Sequence, residues 1–131
     1  IMANGVRGER TDVNALAAAS AKDVSLLLWN YHDDDISSGI STVDLTIQNI
    51  PAKKAVLHHY RIDQEHSNSY EVWQKMGSPA APTPAQYTTL EKAGQLAMLN
   101  APEKIKIKNG VYRLRISLPR QAVSLIRITY E

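Results

Sequence analysis

Residues 105–118 read IKIKNGVYRLRISL, and this stretch decides the fold class of the chain. Apolar residues alternate with lysine or arginine on both sides of Asn109-Gly110, as they do in strands with one buried and one solvated face. An Asn-Gly pair between alternating segments is the strongest short-range hairpin signal, because both residues tolerate the positive φ of a type I′ turn. We therefore predict strands at residues 105–108 and 111–118, joined by a tight turn.

Other segments predict strands on both sides of this stretch. They are residues 14–19, 24–31, 43–47, 55–62 and 122–130. The run at 24–31 is mostly apolar, so we expect Trp29 to lie in the core. Six or seven short strands with mostly local connections imply a mainly β fold, an antiparallel β-sandwich or barrel.

A long excursion at residues 58–96 interrupts the strands and carries two helix signals. Asn68 with Glu71 three residues later fits a cap for a helix at residues 69–76, which Gly77 can end. The sequence TPAQ at residues 83–86 is a capping box with proline at the first helical position, and Gly94 closes the second helix. Helices this short are unstable in isolation, so we expect them to pack on the sandwich or on an adjacent domain.

Length and composition are those of one ordinary globular domain: 131 residues, 44% hydrophobic and 21% charged, with a net charge of +2. The absence of cysteine excludes disulfides and thiolate metal sites but leaves the compartment open. No apolar run approaches the length of a membrane span. Because the chain begins with Ile1 rather than Met, we expect a fragment of a longer protein: one domain, 1–131, with a helical insertion at 63–96.

Basic residues are concentrated towards the end of the chain, at residues 104–127. They alternate with apolar residues, as solvent-facing strand positions do, and lack the base-stacking aromatic residues of a nucleic-acid site. A solvated strand face is the better interpretation, so we expect neither nucleic acid nor a membrane as a partner.

Two groups of side chains suggest a metal site at first sight. Three histidines, at positions 58, 59 and 66, lie near Asp63 and Glu65, but neighbouring strand residues point to opposite faces and cannot share an ion. Residues 33–35 are three aspartates without the alternating ligand spacing of a calcium loop. We interpret the first group as hydrogen-bonded loop residues and the second as a solvated turn, and we expect no metal and no cofactor.

Catalytic chemistry finds no support in the sequence. The chain has no nucleophile elbow, no phosphate-binding glycine loop and no visibly paired carboxylates. Tyr70 and Trp73 lie one helical turn apart, beside the polar cluster at residues 61–68. Either interface packing or stacking against a sugar ring would explain them.

Several blocks of sequence occur in an order that a known family shares. They are HHYRID at 58–63, HSNSY at 66–70, W-x-x-MGSP at 73–79 and PTP-x-QY at 82–87, with VSLLLWNYHDD at 24–34 and LPRQ-x-VSL at 118–125. These blocks resemble the C-terminal part of glycoside hydrolase family 39, which contains β-xylosidases and α-L-iduronidase. The bacterial β-xylosidases are the more similar branch.

The resemblance implies a β-sandwich accessory domain beside a catalytic (β/α)₈ barrel of the same parent chain. Both catalytic glutamates of these retaining enzymes lie in the barrel, one of them in an Asn-Glu pair that this chain lacks. We therefore expect no catalytic residue here and no activity of the chain alone. The parent would be a glycoside hydrolase of the xylan 1,4-β-xylosidase type, acting on xylo-oligosaccharides or related glycosides, and we favour a periplasmic or secreted location.

The resemblance also gives the excursion a role, since in such enzymes it can approach the mouth of the active site. On this basis five residues are expected to lie near substrate or at the domain interface: Asp63, His66, Asn68, Tyr70 and Trp73. Two alternatives stay open, a free-standing carbohydrate-binding module and a protein-interaction domain.

Overall fold

The computed structural model describes residues 12–31 and 39–131 of the protein. These residues form eight strands and two helices. In chain order they are β1 (Asp12–Ala19), β2 (Asp23–Tyr31), β3 (Ser41–Ile47), β4 (Lys54–Ile62), α1 (Ser69–Lys75), α2 (Pro84–Ala93), β5 (Ala97–Met98), β6 (Glu103–Lys106), β7 (Tyr112–Leu118) and β8 (Val123–Tyr130).

The strands form two antiparallel sheets, which confirms the predicted mainly β fold with a helical excursion between strands. The large sheet has the order β1-β2-β8-β4-β5, with β6 also paired to β4. The small sheet is the pair β3-β7. Side chains that alternate along the strands form the core, with Leu28, Ile126 and Ile128 from the large sheet and Leu118 from the small one almost fully buried.

The Asn109-Gly110 turn is present, but the hairpin predicted around it is wrong. Both residues have positive φ, 53° and 73°, and Lys108 forms a bridge with Val111. Beyond that bridge the two arms separate, because β6 pairs with β4 whereas β7 pairs with β3. The turn is therefore a corner between the two sheets. The expectation of mostly local connections is also wrong, because several neighbouring strands are far apart in sequence. For example, β8 lies between β2 and β4.

The core position expected for Trp29 is also wrong. Its neighbours Leu28 and Asn30 are each 1% exposed and point inwards, so Trp29 lies on the outer face of the large sheet, where it is half-buried. A mostly apolar run does not reveal which of its residues faces the core, because both faces of the strand carry large apolar side chains.

The excursion folds as its caps predict. Asn68 accepts a hydrogen bond from the Glu71 amide at 3.2 Å, and Thr83 and Gln86 form the reciprocal bonds of a capping box. The two helices contact each other, and neither contains a buried residue. No helix in the described residues is long and apolar enough to cross a membrane.

Candidate functional site

A cleft of about 750 Å³ opens where the excursion leaves β4, at one end of the sandwich. Three of the five predicted site residues line it: Asp63, Asn68 and Tyr70. The other walls come from Ile40, Ile62, Gln64, Glu65, Glu71, Gln74 and residues 119–121. The remaining two predicted residues, His66 and Trp73, do not line it but contact residues that do: His66 bonds to Asp63, and the Trp73 ring contacts Tyr70.

Asp63 organises the segment that links β4 to α1, residues 63–68, which we call the hook. One carboxylate oxygen, Oδ1, accepts hydrogen bonds of 2.8 Å from the Glu65 amide, the His66 amide and His66 Nδ1. Burial alone would raise the pKa of Asp63, but the hydrogen bonds from His66 and Glu65 outweigh burial and hold that pKa below its ordinary value. Asp63 therefore stays ionised and is occupied in holding the hook.

The other oxygen of Asp63, Oδ2, faces a buried cation. Arg61 is 4% exposed, and its NH1 lies 3.5 Å from Oδ2. Arg61 also donates from Nε to Ser124 Oγ at 2.9 Å and from NH2 to the Ser117 carbonyl at 2.8 Å. Since Ser117 belongs to β7, this guanidinium crosses the sandwich interior and ties the hook to both sheets.

His59 completes this buried polar cluster, which consists of His59, Arg61 and Ser124. Its Nε2 lies 2.9 Å from Ser124 Oγ. Burial, together with the neighbouring Arg61 charge, lowers the pKa of His59 to about 4. The ring is therefore neutral near pH 7. Its Nε2 can accept a hydrogen bond from the Ser124 hydroxyl, while the Ser124 oxygen accepts a hydrogen bond from Arg61.

Ser67 joins the two ends of the excursion. Its hydroxyl donates to the Arg61 carbonyl at 2.8 Å and accepts from the Ala97 amide at 2.8 Å. Arg61 and Ala97 are themselves partners in the β4-β5 ladder. Ser67 adopts this position with a left-handed backbone, at φ 55°.

Replacing Ser67 with alanine should destabilise the domain by about 1–2 kcal/mol, because a backbone amide and a carbonyl both lose their partner. Ser67→Gly loses the same two bonds but relieves the left-handed conformation, so it should be the more stable of the two variants by about 1 kcal/mol. Urea unfolding of both variants measures the difference. Equal stability of Ser67→Ala and the unchanged protein would contradict the role of the hydroxyl.

Asn68 links the hook to the first turn of helix α1. Its side-chain amide donates to the Asp63 carbonyl at 3.1 Å, while its carbonyl oxygen caps the helix. The start of α1 is thereby held relative to β4. This position determines where Tyr70 stands.

Tyr70 and Trp73 have different surroundings although their rings are in contact, 5.7 Å apart with a tilt of 31°. The Trp73 indole donates to the Pro79 carbonyl at 2.9 Å and so holds the segment after α1. Tyr70 is 59% exposed and lines the cleft, with its hydroxyl accepting from Gln74. Trp73 therefore supports the helix, and Tyr70 is the ring available to a partner.

The site is suited to recognition by hydrogen bonds and ring contact. Its described lining offers amide and carboxylate groups and one exposed aromatic ring. Residues 12–31 and 39–131 contain no group of three or more His, Asp or Glu side chains that could hold a metal ion. His58 and His59 do point to opposite faces, with His58 stacked on Tyr60 outside the core. Asp33, Asp34 and Asp35 lie outside the described residues.

Sequence reasoning missed the wall that residues 119–121 contribute to the cleft. These residues, Pro119, Arg120 and Gln121, lie between β7 and β8. Only the pairing of β8 with β4, which sets Val123 opposite Ile62, brings that turn beside the hook. The only sequence signal for this wall was the LPRQ block at residues 118–121, which is one of the blocks shared with the family.

The whole fold matches domains of solved glycosidases. A GH39 enzyme from Xanthomonas axonopodis pv. citri aligns at a TM-score of 0.78 and 17% identity, over 89% of this chain and 26% of its own. A bacterial orthologue of human α-L-iduronidase aligns at 0.79 and 21%, over 92% and 22%. A monomeric β-xylosidase from Caulobacter crescentus CB15 aligns at 0.72 and 16%, over 88% and 26%.

This chain has the fold of a domain of GH39 enzymes. At these identities the likeness is one of fold, and it confirms the resemblance read from the sequence. The chain spans about a quarter of the length of the enzymes it matches. Neither a protein-family model nor a curated protein matches it.

Proposed function

We propose that this chain is the non-catalytic, C-terminal β-sandwich domain of a β-xylosidase-like retaining glycoside hydrolase of family 39. It comprises residues 1–131, with the helical insertion at 63–96. It stabilises the catalytic barrel of the same parent chain and shapes the mouth of its active site. One observation carries the proposal: about nine-tenths of this chain matches only a quarter of a GH39 enzyme.

The construction of the hook supports a role in shaping a mouth. His66 and Asn68 both bond to Asp63, and Asp63 is paired with Arg61, which reaches both sheets, so α1 leaves the sandwich in a defined direction. A surface loop fixed from the interior keeps a substrate-facing group in place at little entropic cost on binding. In this proposal Tyr70 is that group and Trp73 its support, and the substrate is a xylo-oligosaccharide or related glycoside.

The isolated chain should not release product from an aryl β-xyloside, while the parent enzyme should. Spectrophotometric assay of both at equal concentration measures this. Turnover by purified chain above buffer would overturn the non-catalytic assignment. A parent that hydrolyses no glycoside would overturn the proposal as a whole.

Within the parent enzyme, Tyr70→Ala should raise KM for xylo-oligosaccharides about three- to tenfold, as expected for the loss of one aromatic contact. Tyr87→Ala is the matched control, because Tyr87 is an exposed tyrosine on the other helix and does not line the cleft. Equal effects of the two variants would contradict a substrate-facing Tyr70. A fall in thermal stability with unchanged KM would place Tyr70 at the domain interface.

A free-standing carbohydrate-binding module is the second candidate, and the exposed Tyr70 ring in the cleft is the observation that favours it. Calorimetric titration of the isolated chain with xylo-oligosaccharides distinguishes the two. Saturable binding that Tyr70→Ala abolishes would favour the module over the accessory domain.

A further inference from the structure

The outer face of the large sheet carries an apolar row that crosses five strands. Its members are direct partners in the ladder: Leu16 opposite Leu27, Leu27 opposite Leu125, Leu125 opposite Tyr60, and Tyr60 opposite Met98. Leu125 and Tyr60 each lie between inward-pointing residues that are buried, which fixes the row on the outside. Leu16 is 64% exposed and Met98 43%, so the two ends of the row are open to solvent.

A second apolar row lies beside the first, towards the end of the sandwich that holds the cleft. Trp29 is opposite Val123, and Val123 is opposite Ile62. Ile62 is exposed and also lines the cleft. The two rows together, which we call the apolar face, are therefore continuous with the candidate site. On the side away from the cleft the face ends at an ion pair, Arg127 with Asp23 at 2.6 Å.

The outer face of the small sheet provides the contrast. Its exposed positions on β3 are Thr42, Asp44 and Thr46, and Asp44 pairs with Arg115 of β7 at 2.6 Å. That face is polar, as in a sheet with one side in water. The strands of the large sheet instead have apolar residues on both faces, which is typical of sheets covered on both sides. In the described part of the chain, the two helices of the excursion pack on each other, and neither makes an extensive contact with a strand of the large sheet.

We propose that the apolar face is the surface on which the remaining polypeptide of the parent enzyme docks, presenting an apolar patch of a folded domain. An apolar centre with a charged pair at its edge has the composition of a protein–protein interface. The occupant follows from length, since the enzymes that share this fold are about four times as long as the part they share. A sugar fits the face less well, because its two rings, Trp29 and Tyr60, are only partly exposed and Tyr60 already stacks on His58. The other members of the face are leucine, valine, isoleucine and methionine side chains, which offer no ring to stack on. The continuity through Ile62 would then bring the docked domain up to the cleft.

This inference rests on the proposed function and is tested by charge substitutions made in both the isolated chain and the full parent enzyme. Leu16→Glu places a carboxylate on the apolar face, and Thr46→Glu places one on the polar face of the small sheet as a matched control. Both positions are exposed in the isolated chain, so neither variant should shift its urea midpoint. In the parent, Leu16→Glu alone should lower the midpoint and speed proteolytic release of the domain, by about tenfold for a loss near 1.4 kcal/mol.

Hydroxyl-radical footprinting provides a readout without substitution. Tyr60 and Met98 should be modified several-fold less in the parent than in the isolated chain. Equal modification in the two, or equal effects of Leu16→Glu and Thr46→Glu, would overturn the inference. So would a dimeric isolated chain that Leu16→Glu makes monomeric, because the occupant would then be a second copy. Activity separates the two proposals: an active parent with an unprotected face refutes only the docking surface, and a protected face in an inactive parent refutes only the function.

Discussion

Replacing Asp63 with asparagine is expected to destabilise the domain by about 3 kcal/mol, the usual cost of removing one partner of a buried ion pair. The Asp63 side chain is 11% exposed and Arg61 4% exposed, so neither group regains full hydration when the pair is broken. Asparagine has nearly the same shape, but its amide would set a donor against the Arg61 guanidinium or against the three donors of the hook. Chemical unfolding followed by circular dichroism measures the change.

Asp44→Asn is the matched control, because it also removes an aspartate paired with an arginine, at 2.6 Å from Arg115. That pair lies on the exposed face of the small sheet, and surface pairs contribute little. We therefore expect Asp44→Asn to destabilise the domain less than Asp63→Asn, although the Asp44 pair is the shorter one. Burial of the pair, and not its distance, decides the size of the loss. Equal losses in the two variants would contradict the central role of Asp63. A loss confined to faster proteolysis at residues 78–84, with an unchanged global midpoint, would show that Asp63 holds only the excursion.

The strands and helix caps could be predicted because their signals are local. Asn68 and Glu71 are three residues apart, as are Thr83 and Gln86, and each pair closes its own hydrogen bonds wherever the helix lies. Asn109-Gly110 likewise forms its turn from its own backbone preferences. What these signals do not contain is the partner of each strand, which is why the turn was predicted correctly and its hairpin was not.

The buried polar cluster could not be predicted, because its contacts join residues about sixty positions apart. Arg61 meets Ser117 and Ser124 only because β4 pairs with β8 and the small sheet packs across them. In the sequence, His59 and Arg61 lie at the end of the predicted strand 55–62, which leads directly into a polar segment. An alternating pattern places them inside, but a buried arginine is too rare to be expected without a known partner.

Trp29 shows that the composition of a strand does not tell which face of the sheet a given side chain lies on. The apolar run of β2 correctly indicated a strand, but Trp29 was assigned to the core although it lies on the outer face of the sheet. The outward residues Leu27 and Trp29 are apolar and partly exposed, and the proposed docking surface follows from this pattern. A free strand with one solvated face would carry polar residues at the positions of Leu27 and Trp29, as β3 does at Thr42 and Thr46.

The stability of the domain should fall by about 2–3 kcal/mol between pH 6.5 and pH 4 because of His59 alone. The unfolded chain takes up a proton at this histidine near its ordinary pKa of 6.5, whereas in the fold burial and the Arg61 charge hold the pKa at about 4. Between these values the unfolded state binds the additional proton, so stability is complete above pH 6.5 and decreases as the solution is acidified. Asp63 acts in a different window, because its stabilisation is present above its ordinary pKa of 3.8 and is lost only below that value.

His59→Gln should remove this slope, since glutamine can bond to Ser124 but does not titrate. His58→Gln is the control: His58 is the neighbouring residue on the same strand, lies on the opposite face and stacks on Tyr60. Urea unfolding at half-unit intervals of pH compares the slopes, so a lower overall stability of His59→Gln does not affect the result. If the free energy of unfolding falls with pH equally in His59→Gln and in the unchanged protein, another group is responsible for the loss of stability in acid. Loss of the slope in His59→Gln alone would place the acid sensitivity inside the cluster that anchors the hook, where a protonated His59 would stand beside the Arg61 guanidinium with only the Ser124 hydroxyl between them.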